Sequence, residues 1–100
     1  MSAAAVEQTA AGAFAVRGEL GFATVAALAA GARPEFPPGG AVEIQLDSVT
    51  QTDSAGLALL MEWRRRAEGA GCKLQFTGAP AALAALAAVS GVAAFVFDGA

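Results

Sequence analysis

Between residues 50 and 54 the sequence reads Thr50-Gln51-Thr52-Asp53-Ser54, three hydroxyls and a carboxylate in five positions. These residue types at a junction serve nucleophilic catalysis, a phosphorylation switch, a docking point or a plain helix cap. Catalysis by a hydroxyl requires a neighbouring base, and the chain has no histidine. Ser-His and Cys-His pairs are thereby excluded, as is every histidine metal site. The sequence shows no clustered metal ligands and no glycine loop to cradle a phosphate, so it reads as non-enzymatic and without a cofactor.

The remaining uses share one geometry. A serine just ahead of a helical run caps it, its oxygen accepting a first-turn N–H for roughly 1 kcal/mol. Asp53 at the same end would interact favourably with the helix dipole. An exposed Ser54 would also accept a phosphate, adding about two negative charges beside Asp53. The turn from a strand's C-terminal end into a helix is where open α/β sheets place their sites. From the residues alone, cap, switch and docking point all stay open.

The elements that position this junction follow from periodicity. Residues 41–46 alternate, with Val42, Ile44 and Leu46 on one face, and residues 73–77 repeat the pattern, so both read as strands. A helix is expected over residues 55–70, closed by Gly69 and Gly71. Strand, helix and strand in about 35 residues form a βαβ unit with parallel strands. Upstream, residues 13–17 read as a strand ended by Gly18, in a hairpin with residues 6–9 through Ala10-Ala11-Gly12. A short alanine-rich helix is expected over residues 22–32, with a Pro/Gly-rich loop to residue 40. Pro80 opens an Ala/Leu helix through residue 89, stopped by Ser90-Gly91, and Phe95-Val96-Phe97 is a last short strand or a packed tail. The expectation is one α/β domain over residues 1–100, a mixed sheet of four or five strands covered by about three helices.

Within the helix of residues 55–70, Leu57, Leu60 and Met61 share a face with Arg64, whose stem would lie along the core edge. Leu59 and Trp63 fall on another side with Arg66. This arc is wider than one sheet-facing stripe requires. Trp63 is either a core-edge residue or, with Leu59 and Arg66, part of a partner-binding surface, because exposed Trp and Arg are enriched at interface hot spots.

Composition narrows the partners. Alanine supplies much of the 56% hydrophobic content, so the bulky core rests on few residues. A net charge of -3 opposes a grip on nucleic acid or anionic lipid, and Arg64-Arg65-Arg66 point in different directions on a helix. The apolar run over residues 80–89 is too short to span a bilayer, so direct membrane insertion is not expected. Cys72 is alone, and Met1-Ser2-Ala3-Ala4-Ala5 lacks a basic start before an apolar core, which gives a cytoplasmic expectation.

Leu46-Asp47-Ser48-Val49, the run from Thr52-Asp53-Ser54-Ala55-Gly56 to Leu60, and then Gly71, Leu74, Pro80, Leu83 and Gly91 together resemble a STAS domain. Arg17-Gly18-Glu19-Leu20 is similar to that family's second strand and following turn. Gly56-Leu57-Ala58-Leu59-Leu60 with Glu62-Trp63-Arg64-Arg65 is more similar to the MlaB-type STAS subunit of the Mla phospholipid ABC transporter. That resemblance implies a non-enzymatic cytoplasmic subunit, held at the inner membrane by binding the transporter's ATPase and, indirectly, its permease. It supports phospholipid movement that maintains outer-membrane lipid asymmetry. The role carried over implicates Thr52, Asp53, Ser54, Ala55 and the first turns of the helix, with Leu59, Trp63 and Arg66 beside them. The alternative implied by the wider family is an anti-sigma factor antagonist, switched when an anti-sigma factor kinase phosphorylates Ser54.

Overall fold

The computed structural model describes residues 4–30 and 34–98. Strands β1 (Ala5–Ala10) and β2 (Ala13–Leu20) form the expected antiparallel hairpin, its turn made by Gly12 at a φ of 73°. There follow α1 (Val25–Ala30), β3 (Ala41–Thr52), α2 (Ser54–Gly69), β4 (Lys73–Thr77), α3 (Ala81–Val89) and a π-helical turn, Ala94–Asp98. The sheet order is β1-β2-β3-β4, with β2, β3 and β4 parallel. Both crossovers step in the same direction, so right-handed connections put α1 and α2 on one face. The other face carries Glu7 and Arg17 in an ion pair at 3.0 Å, and Thr77 donating to Glu43 at 2.9 Å. A mixed sheet with helices over one face is the architecture the alternation implied.

Strand β3 differs from its expected length. The alternation ends at Leu46, yet the strand runs on to Thr52, and the polar stretch from residue 50 belongs to it rather than to a break. Two irregularities explain why. Ala15 pairs with Gln45 but Arg17 with Ser48, and Gly18 pairs with Val49 but Glu19 with Gln51, so β3 takes up an extra residue twice. Its inward positions then run Leu46, Val49 and Thr52 at intervals of three, which a period of two cannot detect.

The other boundaries shift less. The first helix begins at Val25, not residue 22, because Gly21 to Thr24 form a turn in which Val25 N–H donates to Gly21 C=O at 2.8 Å. Its expected end at residues 31 and 32 lies outside the described residues, as do residues 1–3. Pro80 is the cap before α3 rather than part of its first turn. Phe95-Val96-Phe97 lies in the π-helical turn and is packed, with Val96 fully buried.

The wide apolar arc of α2 is interior. Gly56, Leu57, Leu59, Leu60, Trp63, Arg64 and Ala67 are all buried, Trp63 to 1% exposure. α2 packs against the sheet and also against α1, α3 and the π-helical turn, so its buried side spans far more than one stripe. The expectation of Leu59 and Trp63 as partner-facing residues is therefore corrected. Both are core, because the flanking helices cover the sides of α2 that the sheet alone would leave open.

Arg64 is also buried, which a solvated arginine cluster would not be. Its guanidinium donates to Leu74 C=O at 2.7 Å and, through Nε and Nη2, to Val96 C=O, and lies 5.4 Å from the centre of the Phe76 ring. Phe97 meets Phe76 edge-on at 6.4 Å. One cation thereby joins α2, β4 and the π-helical turn, and charged hydrogen bonds are the stronger kind. Replacing Arg64 by Ala is expected to lower the unfolding free energy by about 3 kcal/mol. Urea denaturation measures the loss, and amide exchange should accelerate first in residues 94–98.

Candidate functional site

The ends of β2 and β3 are level, Leu20 pairing with Thr52, and the chain turns at Asp53 directly into α2. Asp53 is extended, with φ -145° and ψ -171°, and is the N-cap of the helix. Its Oδ1 accepts from Ala55 N–H at 2.9 Å and Gly56 N–H at 3.2 Å. Its Oδ2 accepts from Phe22 N–H at 2.9 Å, thirty-one residues away in sequence. Ser54 is thus the first helical residue and not the cap, because the aspartate reaches the second and third helical amides that a capping oxygen serves.

Two glycines make this bridge possible. A Cβ on Gly56 would lie 1.9 Å from Leu20 O, so α2 crosses the end of β2 at a distance only glycine permits. A Cβ on Gly21 would come within 2.8 Å of Asp53 Oδ2. Buried Thr24 braces the same loop, its Oγ1 donating to Glu19 C=O and accepting from Gly21 N–H at 3.2 Å. The hydrogen bond from Phe22 N–H, then that from Gly56 N–H, hold the Asp53 carboxyl below its ordinary value against desolvation, with Ala55 N–H adding less.

The implicated residues therefore divide. Thr52, Asp53, Ser54 and Ala55 are brought together at one pole of the sheet, Asp53 and Ser54 exposed, Thr52 and Ala55 partly buried. Thr52 Oγ1 is enclosed and has no hydrogen-bond partner among the described residues. Arg66 is 45% exposed and pairs with Glu62 at 3.4 Å, about 18 Å further along the helix from Ser54. Leu59 and Trp63 are inside. What the sequence reading missed is Phe22, 82% exposed beside Asp53. The signal was Gly21, set between a buried Leu20 and an aromatic, which marks a turn rather than a helix start.

The chemistry on offer is recognition. Among the described residues no three His, Cys, Asp or Glu side chains are placed to hold a metal ion. Cys72 is buried, and burial pushes its thiol up, away from the reactive thiolate. A hollow of about 340 Å³ lined by Gly12, Val42, Glu43, Lys73 and Gln75 lies at the opposite end of β3 from Asp53.

A family model described as "Mlab, STAS domain" matches residues 3–97. The chain belongs to this family. Membership brings with it the accessory or regulatory roles of STAS domains, which are generally non-catalytic. No curated protein matches the chain. No helix among the described residues is long and apolar enough to cross a membrane.

Two outcomes follow from the geometry. Gly56→Ala should destabilise the fold by at least about 3 kcal/mol, since a methyl group would collide with backbone that has no side-chain freedom to move. Chemical denaturation reads this directly. Because the Asp53 pKa is lower folded than unfolded, its stabilising contribution is present above the unfolded value and is lost as pH falls through the folded one. Wild type should be more stable than Asp53→Ala at pH 7, and the gap between their melting curves should begin to narrow as pH falls below about 4.

Proposed function

We propose that this chain is a non-enzymatic accessory subunit that docks on the ATPase of an Mla-type phospholipid ABC transporter. The observation that carries the reading is the exposed junction of Asp53 and Ser54, rigidly built at the start of α2 in a domain that matches the MlaB-type family over nearly its whole length. Because Asp53 does the capping, the Ser54 hydroxyl is left for contact with a partner, and Thr52 and Ala55 complete the rim. Arg66 belongs to this surface only if the partner extends along the exposed side of α2. Through the ATPase the subunit meets the permease indirectly and resides on the cytoplasmic side of the inner membrane, in the service of outer-membrane lipid asymmetry.

The same freedom of Ser54 supports a second reading, an antagonist of an anti-sigma factor kinase. Phosphate on Ser54 would sit at the positive end of α2 yet directly beside an ionised Asp53, and would change the charge of the surface sharply. Affinity purification from the native organism with tagged wild type and Ser54→Arg separates the two. Recovery of an ABC ATPase with its permease, lost in the variant and with Ser54 unmodified, is the expected result. Recovery of a kinase with phosphate on Ser54 would select the second reading, and an ATPase retained equally by Ser54→Arg would place the interface elsewhere.

A further inference from the structure

Two large apolar side chains are strongly exposed among the described residues, Phe22 at 82% and Val89 at 88%. They differ in how their backbones are held. Val89 ends α3, whereas Phe22 sits in a four-residue turn held from two directions: its own N–H is bound by the Asp53 carboxylate, for which Gly21 leaves room, and Thr24 ties the turn back to Glu19. An exposed aromatic gains nothing for folding from being fixed in this way. It gains for binding, because a loop ordered in the free protein loses less conformational freedom on association. Phenylalanine is also among the aromatics enriched in the buried cores of interfaces.

The electrostatics beside the ring describe what would meet it. An ionised carboxylate offers about four acceptor sites. Phe22, Ala55 and Gly56 N–H fill three at Asp53, and the carboxylate is exposed. Neither residues 19–24 nor the first two turns of α2 carry a Lys or Arg to occupy the fourth. We propose that Phe22 is the apolar anchor of the docking surface, that Asp53 is its positioning residue, and that the partner presents an apolar pocket bordered by a basic side chain that reaches Asp53. This rests on the preceding reading of the partner as a transporter ATPase, and supplies the apolar contact that buried Trp63 does not.

The test uses the full chain and the purified Mla-type ATPase of the same organism, with affinity measured by titration calorimetry. Phe22→Ala removes an exposed ring, so its melting temperature should match wild type while affinity falls at least about thirtyfold, the hot-spot scale. Asp53→Asn separates positioning from capping, since Asn caps helices as well as Asp does. Its single carbonyl oxygen can serve the amides of α2 only by turning its NH₂ toward Phe22 N–H, donor against donor. Expected are a lowered but still cooperative melting transition, faster exchange of the Phe22 amide and weakened binding. If wild type binds the ATPase and Phe22→Ala binds equally well, the anchor is wrong while the proposed function stands. Wild-type affinity in Asp53→Asn would overturn both the positioning role and the basic contact to its carboxylate. An ATPase that does not bind wild type would remove the proposed function and the anchor with it.

Discussion

Gly56 passes so close to the carbonyl of Leu20 that no other side chain fits between α2 and the end of β2, and the geometry of the whole pole follows from that approach. It brings the first amides of the helix and the turn after β2 within reach of one carboxylate. Asp53 then satisfies three N–H groups from two segments that the sequence separates by a helix and a strand. The bulges of β3 belong to the same requirement. They absorb two extra residues, so that a longer strand finishes level with β2 and delivers Asp53 to the crossing point.

At the opposite flank of α2 a buried cation does comparable work. Arg64 satisfies carbonyls of β4 and of the π-helical turn, in a core where alanine-rich helices offer little bulk. A charge inside a small core is tolerable only when its donors are used, and here they are directed at the backbone carbonyls of Leu74 and Val96. The helix is thus fixed by backbone contact and a carboxylate at its start, and by a guanidinium past its middle. Its apolar residues fill the space between.

Much of the fold was legible because it rests on strong local signals. The hairpin, the β3-α2-β4 unit and the limits of β4 follow from alternation and glycine placement, and the family resemblance rested on residues spread from β2 to the end of α3. The failures have physical causes. The end of β3 was hidden because bulges turned its inward period from two to three. Ser54 stayed open as cap, switch or docking point because serine and aspartate both cap helices, and only the backbone shows which of them stands before the first turn. The breadth of the apolar arc on α2 was read correctly, but one sequence cannot say that flanking helices cover Leu59 and Trp63. Phe22 escaped because the turn that presents it is held by a hydrogen bond that its N–H donates to a residue thirty-one positions later.

The division of labour between two adjacent residues has a consequence for divergence. Asp53 is bound by folding, since changing it releases a helix terminus and a loop together, whereas Ser54 contributes an exposed hydroxyl that no helix amide requires. An uncharged substitution at position 54 is therefore nearly neutral for the cap, because Asp53 serves the helix amides. A scaffold arranged in this way can vary one exposed side chain while the neighbouring carboxylate keeps the architecture unchanged.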